Sequence, residues 1–156
     1  MTGGSSPGPV ARRGEYDPGM SDSIFSKIIR GEIPAQKVYE DEAVIAIMDI
    51  APLAEGHVLV IPKEPAETLD RLSDKAAAAV GKVLPRIVRA VQKVTGVPEC
   101  NILQNNGAGA GQAVMHVHFH VIPKPANGSG LTKEWRPIEV ERDRLAEMGR
   151  AMARLL

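Results

Sequence analysis

Residues 114–123 read VMHVHFHVIP, a segment in which His116, His118 and His120 alternate with apolar residues. These are three of the four histidines in the chain. In an extended strand, successive side chains point to opposite faces, so the spacing predicts a strand with all of these imidazoles on one face, about 6 to 7 Å apart along the backbone. Proline supplies no ladder donor, so Pro123 is expected to end the strand.

Length and composition restrict the class of protein. A chain of 156 residues with 44% hydrophobic residues is expected to form one domain with a sizeable core. Lys plus Arg equals Asp plus Glu at 19 each, which argues against general nucleic-acid binding. The single cysteine, Cys100, excludes an internal disulfide, and no apolar run approaches the roughly 20 residues of a membrane span. We therefore expect a cytoplasmic protein without membrane association.

The chain is expected to contain a single domain behind a tail. Residues 1–20 are rich in Gly, Pro and Ser and have no helical or strand periodicity, which predicts a disordered N-terminal tail. The domain is expected to span residues 21–156, with a core over 22–125 and a C-terminal extension over 126–156.

The first half of the domain has signals for a short helix and several strands. Ser21 or Ser23 is a candidate N-cap for a helix that Gly31 would end. Three β-like runs separated by turn residues then predict an antiparallel meander. These runs cover residues 37–40, 43–49 and 57–62.

The second half has signals for helices. The pattern is helical over residues 66–94, with Ser73 as an N-cap and Gly96 just beyond the end. Pro85 lacks a backbone donor, so a kink or a second helix is expected there. The remaining predicted elements are a strand over residues 99–105 and an amphipathic helix over 142–155, with Leu145, Met148, Met152 and Leu155 on one side.

A glycine-rich loop precedes the histidines. Gly107, Gly109 and Gly111 allow positive φ and a close approach of backbone N–H groups to an anion, which favours a phosphate-binding loop. The spacing differs from the dinucleotide-binding fingerprint, and no Lys-Ser/Thr pair follows, so it is not a P-loop either.

The residues alone leave three interpretations of the histidines open. They could be ordinary surface or core residues of a strand. They could bind zinc, although the chain has no C-x-x-C pair and only His57 remains as a further histidine ligand. They could also act in nucleophilic catalysis, because a neutral imidazole can attack a phosphoryl centre while neighbouring donors neutralise the developing charge.

Two stretches carry a resemblance to a known family. GQAVMHVHFHVIPK, residues 111–124, closely resembles the H-φ-H-φ-H-φ-φ signature of the histidine triad superfamily, where φ is hydrophobic. The stretch from Ser23 to Lys63 is similar to the N-terminal half of its nucleotide-binding branch, so the resemblance covers about residues 22–125. It implies an α+β fold: an antiparallel sheet of about five strands with one long helix packed on it, short terminal helices, and assembly as a homodimer.

The resemblance also implies catalytic roles. His118 matches the family's nucleophile, which attacks the α-phosphorus of a nucleotide and forms a nucleotidyl-histidine. His120 matches a residue that contacts the phosphate, and His116 one that orients the site. His57 resembles a further histidine near the triad, although a structural role for it is the alternative.

Further residues match nucleotide-binding positions. Asp49 resembles the acid that holds the ribose hydroxyls, and Ile50 a part of the apolar base pocket. Asn105 and Gln112 match polar residues near ribose and phosphate, and Gly111 lies on the phosphate loop. The alternatives are structural: Asp49 and Asn105 as turn residues, and Ile50 as ordinary core.

The chain departs from the family pattern at two places. Many relatives carry a zinc-binding C-x-x-C where this chain has Ser23 and Ser26. Serine is a poor zinc ligand, so no metal and no cofactor is expected. Ala113 stands where relatives often have a serine that assists at the phosphate or leaving group, so the rate and the leaving group are expected to differ from theirs.

The activity that the resemblance implies is hydrolysis of purine nucleoside phosphoramidates or related adenylylated substrates, with release of a nucleoside monophosphate. Hydrolysis or phosphorolysis of dinucleoside polyphosphates is an alternative. Another is a nucleotide-binding interaction module whose turnover is incidental, and metal-dependent hydrolysis is a third. The segment after Pro123, including Trp135, is expected to shape the leaving-group pocket.

Overall fold

The computed structural model describes residues 22–132, 134 and 136–156. The predictions for residues 1–20 and for Trp135 lie outside these ranges. The described chain forms a five-stranded antiparallel sheet in the order β1-β2-β3-β5-β4. The strands are β1 (Lys37–Glu40), β2 (Val44–Met48), β3 (Val58–Pro62), β4 (Cys100–Leu103) and β5 (Phe119–Pro123). The predicted α+β class and antiparallel sheet are confirmed.

One face of the sheet is covered by the long helix α2 (Asp74–Thr95). Its buried residues recur every three or four positions, the period of one helix face, and they pack on alternate residues of the central strands. The buried helix residues are Ala76, Val80, Val83, Ile87 and Val91, and their partners include Val44, Ala46, Val58, Val60 and Val121. The predicted cap residues are confirmed, because the Ser73 hydroxyl accepts the Ala76 N–H and Gly96 is left-handed at φ 71°.

The course of α2 differs in part from the predictions. A kink or a second helix was expected at Pro85, and the helix continues through this residue, so a second helix does not begin there. Pro85 and Gly81, four residues earlier, both lie on the exposed side, so the carbonyl that loses its donor is open to water. Helical structure does not begin at residue 66 either. Only the short 3-10 turn Leu69–Arg71 precedes Ser73.

The opposite face of the sheet carries the short helix α1 (Ile24–Ile29). Ser23 is its N-cap, and Gly31 follows it with φ 76°. Phe25 and Ile28 pack against the strand residues that alternate with those under α2, which are Ile45, Ile47, Leu59 and Ile61. His120 pairs with Leu59 across β3 and β5, which places His120 on the α1 face.

The strand at the histidine segment is shorter than predicted. Strand β5 begins only at Phe119, so His116 and His118 precede it and do not share a strand face with His120. The Val117 N–H donates to the Ala66 carbonyl at 2.8 Å, and the His116 N–H to the Val114 carbonyl at 2.9 Å. These bonds replace a β ladder, so the period of two in the sequence does not describe the backbone before residue 119.

The predicted C-terminal helix is confirmed as α3 (Arg142–Ala153). None of its residues is buried, and its apolar side is exposed at Leu145, Met148 and Met152. Among the described residues, no helix combines the length and apolar character that crossing a membrane requires.

Candidate active site

Three imidazoles meet where β3 and β5 begin. The ring centroids of His118 and His120 lie 5.0 Å apart, and those of His120 and His57 lie 5.1 Å apart. His57 and His118 are buried, with 2% and 6% of their surface exposed. The sequence pattern predicted that His116, His118 and His120 share one face, whereas the structure brings His118 and His120 together with His57. His57 was named from the family resemblance.

The backbone fixes the tautomer of His118. Its Nδ1 lies 2.7 Å from the carbonyl oxygen of His116. A carbonyl only accepts, so Nδ1 carries the hydrogen, and in the neutral ring Nε2 then holds the lone pair. Burial lowers the pKa of His118, with a smaller opposing effect of the hydrogen bond to His116. His118 is therefore a neutral imidazole whose Nε2 can act as a nucleophile.

A second chain of hydrogen bonds fixes His57 and His120. The Leu53 N–H donates to Nδ1 of His57 at 3.1 Å, so the hydrogen of His57 is on Nε2. This Nε2 lies 2.9 Å from Nδ1 of His120 and donates to it, which leaves Nε2 of His120 as an N–H donor. Burial lowers the pKa of His120 to about 4, with further lowering by His118 and His57. The pKa of His57 is lowered by burial, against an opposing effect of Asp49.

Asp49 combines a turn role with a place beside the histidines. Its Oδ1 accepts the Ala51 N–H at 2.8 Å, which is the turn role expected as the alternative. Its Oδ2 lies 3.5 Å from Nε2 of His57. Asp49, His57 and His120 offer ligand atoms within 4.8 Å of one another, so they could hold a metal ion. The hydrogen bond between the two imidazoles already accounts for their close approach.

His116 lies behind the other histidines. Its Nε2 is 2.8 Å from the Pro62 carbonyl, and its Nδ1 is 3.4 Å from Oγ of Ser23. The ring of Phe25 stands edge-on to both His116 and His118, with centroid distances of 6.3 and 5.0 Å. Burial lowers the pKa of His116. The link from His116 to the other histidines is therefore its backbone carbonyl, which accepts from Nδ1 of His118.

The side chain of Gln112 closes the glycine loop. Its Oε1 accepts the Gly107 N–H at 2.7 Å, and its Nε2 donates to the Glu67 and Val114 carbonyls at 2.6 and 2.9 Å. The amide is buried and both of its hydrogens are used. Gln112 thus supports the loop, and its match to a polar residue near ribose and phosphate stays a prediction of the family resemblance.

Asn105 and Gly111 lie on the glycine loop, and Ile50 lies elsewhere on the surface. Asn105 donates from Nδ2 to the Gly111 carbonyl at 3.4 Å, on the same loop. Gly111 has φ 90°, a left-handed conformation that favours glycine. Ile50 is 94% exposed, so its side chain is neither core nor enclosed in a pocket among the described residues.

Sequence reasoning missed groups that act through the backbone or through a cap. The Leu53 N–H and the Pro62 carbonyl set two histidine tautomers, and no side-chain pattern reveals them. Ser23 was predicted as a cap and as a lost metal ligand, and its contact with His116 was not expected. The signal that could have found this contact is the match of Ser23 to a metal-ligand position in the family pattern described above.

Comparisons with known proteins identify the family of the chain. The family model described as "HIT domain" matches residues 30–127. An adenosine 5'-monophosphoramidase of Schizosaccharomyces pombe is 44% identical over 126 residues, 81% of this chain and 92% of the relative. An adenylylsulfatase of Arabidopsis thaliana is 45% identical over 104 residues, 67% of this chain and 53% of the relative.

Solved structures of proteins with related names have a similar fold. A HIT family protein from Bacillus subtilis has a TM-score of 0.83 at 38% identity, covering 87% of this chain and 98% of that one. A histidine triad nucleotide-binding protein from Candida albicans has a TM-score of 0.77 at 36% identity, covering 85% and 96%. The chain belongs to the histidine triad (HIT) family and is an enzyme of its hydrolase class.

Proposed function

We propose that this enzyme hydrolyses purine nucleoside phosphoramidates or related adenylylated substrates and releases a nucleoside monophosphate. The observation that carries the proposal is the hydrogen bond from Nδ1 of His118 to the His116 carbonyl, which leaves a neutral Nε2 free. The names of the relatives support the substrate class, because one is an adenosine 5'-monophosphoramidase.

The reaction has two displacements at phosphorus. In the first, Nε2 of His118 attacks the α-phosphorus, the P–N bond breaks, and the departing amine takes a proton from solvent. In the second, water attacks the phosphorus, the bond to Nε2 breaks, and the water releases a proton to solvent. The positive charge on the modified ring strengthens its Nδ1–H bond to the His116 carbonyl, which stabilises the intermediate.

Neighbouring groups supply binding and charge stabilisation. His120 offers its Nε2–H to a phosphoryl oxygen, and this donor is oriented before the substrate arrives because His57 occupies the other ring nitrogen. Asp49 is assigned to the ribose hydroxyls and Ile50 to the base. Gly111 and Asn105 belong to the proposed phosphate loop.

Substitution of the nucleophile tests the proposal. His118→Ala and His118→Gly should abolish turnover of an adenosine phosphoramidate while leaving affinity for the nucleoside monophosphate largely intact. Wild-type enzyme quenched during turnover should carry one nucleotidyl group, and its mass should be absent from both variants. Undiminished hydrolysis by either variant would refute the role of His118.

The expelled group is a separate question. An adenylylsulfatase among the relatives shows by its name that leaving groups differ within the family. Ala113, just after Gln112, has no hydroxyl to offer a leaving group. Adenosine phosphoramidate and dinucleoside polyphosphates should be compared under identical conditions, and we expect the phosphoramidate to have the higher kcat/KM. Turnover no faster than background with every substrate would favour the interaction-module alternative.

We further propose that the protein pairs as a homodimer through β4. This strand is an edge of the sheet, and Ile102 on it is 46% exposed. An exposed strand edge with an apolar side chain is a site for pairing with another chain. Light scattering should give the mass of two chains, and Ile102→Lys should lower it towards one. A monomeric wild type would contradict this assembly.

A further inference from the structure

Ser23, the residue that caps α1, also reaches into the histidine cluster. Its Oγ accepts the Ser26 N–H at 3.0 Å and lies 3.1 Å from Oγ of Ser26. The same atom lies 3.4 Å from Nδ1 of His116, which is 93 positions away in the chain. One hydroxyl thus joins the start of the domain to the segment before β5.

The tautomer of His116 determines the direction of this contact. Nε2 of His116 lies 2.8 Å from the Pro62 carbonyl, which only accepts, so the hydrogen of the neutral ring is on Nε2. Nδ1 is then an acceptor on a side chain that is 1% exposed. A buried acceptor requires a donor, and the Ser23 hydroxyl is the described group that reaches it. The Ser26 hydroxyl can donate in turn to Ser23.

The segment that carries His116 depends on such anchors. Residues 113–118 have no strand pairing, and the Val117 N–H to the Ala66 carbonyl is one of their few backbone attachments to the rest of the fold. The His116 side chain supplies another attachment, to Pro62. Because the carbonyl of His116 accepts from His118, a shift of the His116 ring moves the group that orients the nucleophile.

We propose that Ser23 is a positioning residue: its hydroxyl donates to Nδ1 of His116, holds that ring in the Nε2–H tautomer, and thereby keeps the carbonyl that orients His118 in place. The role rests on the function proposed above. Ser23 does not touch the substrate. Its effect is transmitted from α1 through the His116 side chain to the His116 backbone.

Three substitutions separate this role from helix capping. Ser23→Thr keeps the cap and the donor, Ser23→Asp keeps a cap acceptor but has no donor when ionised, and Ser23→Ala loses both. Since an unsatisfied buried acceptor costs about as much as a tenfold change in an equilibrium, we expect kcat to fall about tenfold in the Asp and Ala variants, with KM nearly unchanged. The Thr variant should retain wild-type kcat. Ser26→Ala is the matched control, because the hydrogen bond to Nδ1 of His116 comes from Ser23 and not from Ser26.

Nitrogen NMR of the imidazoles gives a readout that does not depend on turnover. Wild-type His116 should show a protonated Nε2 and an unprotonated Nδ1, and Ser23→Ala should show a mixture of tautomers. If the wild type turns over substrate and the Asp and Ala variants keep its kcat and its His116 signals, the role of Ser23 is refuted. If the wild type has no turnover, the proposed function fails, and the NMR comparison still decides whether Ser23 fixes His116.

Discussion

Nε2 of His57 lies 2.9 Å from Nδ1 of His120, so the first residue before β3 sets the tautomer of a residue on β5. The bond has a direction, because Nδ1 of His57 already accepts the Leu53 N–H. His120 therefore presents an N–H, and not a lone pair, from its remaining nitrogen. The tautomer of His120 is therefore set by the Leu53 N–H, which acts through the side chain of His57.

His57→Ala removes the hydrogen bond that fixes the tautomer of His120. The Leu53 N–H loses its acceptor and Nδ1 of His120 loses its donor. Since a buried polar group without a partner costs about 1 to 3 kcal/mol, we expect the free energy of unfolding to fall by about that amount. We expect kcat to fall as well, because His120 then exchanges between tautomers. Urea unfolding and steady-state kinetics measure the two effects, and a variant with wild-type kcat would show that His57 is only structural.

The activity should persist into mildly acidic solution. In the proposed mechanism His118 attacks only as the neutral imidazole, and burial lowers its pKa from the ordinary value of 6.5. The acid limb of the kcat/KM profile is therefore expected below pH 6.5, with the neutral nucleophile fully present above it. A profile of kcat/KM against pH gives this value directly. A limb at or above pH 6.5 would show that protonation of another group controls the reaction.

The same histidines make stability depend on pH. Burial lowers the pKa of each of the four, His57, His116, His118 and His120, so the unfolded chain binds more protons than the folded one as pH falls below 6.5. Their contribution to stability is complete above pH 6.5 and is lost on acidification towards pH 4, near the folded pKa of His120. Each histidine adds at most about 1.4 kcal/mol per pH unit to the slope. Urea unfolding between pH 4 and 8 measures it, and the slope should decrease in His57→Ala.

Gln112 should matter for the shape of the glycine loop. Gln112→Glu keeps the size of the side chain but replaces two N–H donors by an acceptor that faces the Glu67 and Val114 carbonyls. We expect a loss of about 1 to 3 kcal/mol in the free energy of unfolding. KM for the nucleotide should rise, because the backbone N–H groups of the loop are no longer held. Gln36→Ala, at an exposed position, is the control and should change neither quantity.

The sequence predicts the fold better than it predicts the site. Alternating apolar residues and the caps Ser73 and Gly96 are local signals, and they located the strands and α2. The periodicity of the histidines predicted one strand face for His116, His118 and His120, but the Val117 N–H bonds outside the sheet to Ala66, and His116 lies behind the other two. Nothing in the identity of Gln112 says that its amide turns inward to three backbone groups. Such contacts depend on how distant loops pack, which periodicity does not encode.

Gly56, the residue before His57, has no space for a side chain. It has φ 86°, and a Cβ there would collide with Cγ2 of Thr95 at the end of α2. Gly31, with φ 76° and nothing within 4 Å of its Cβ position, is the matched control. A left-handed alanine costs about 1 to 2 kcal/mol, so Gly31→Ala should lose that amount. Gly56→Ala should lose a further 1 to 3 kcal/mol, roughly, from overpacking. Chemical unfolding of both variants measures the difference, and Thr95→Ser in the Gly56→Ala background should recover part of it by removing the methyl group. Equal stability of the two glycine variants would show that the close approach of Gly56 to Thr95 does not constrain the backbone before His57.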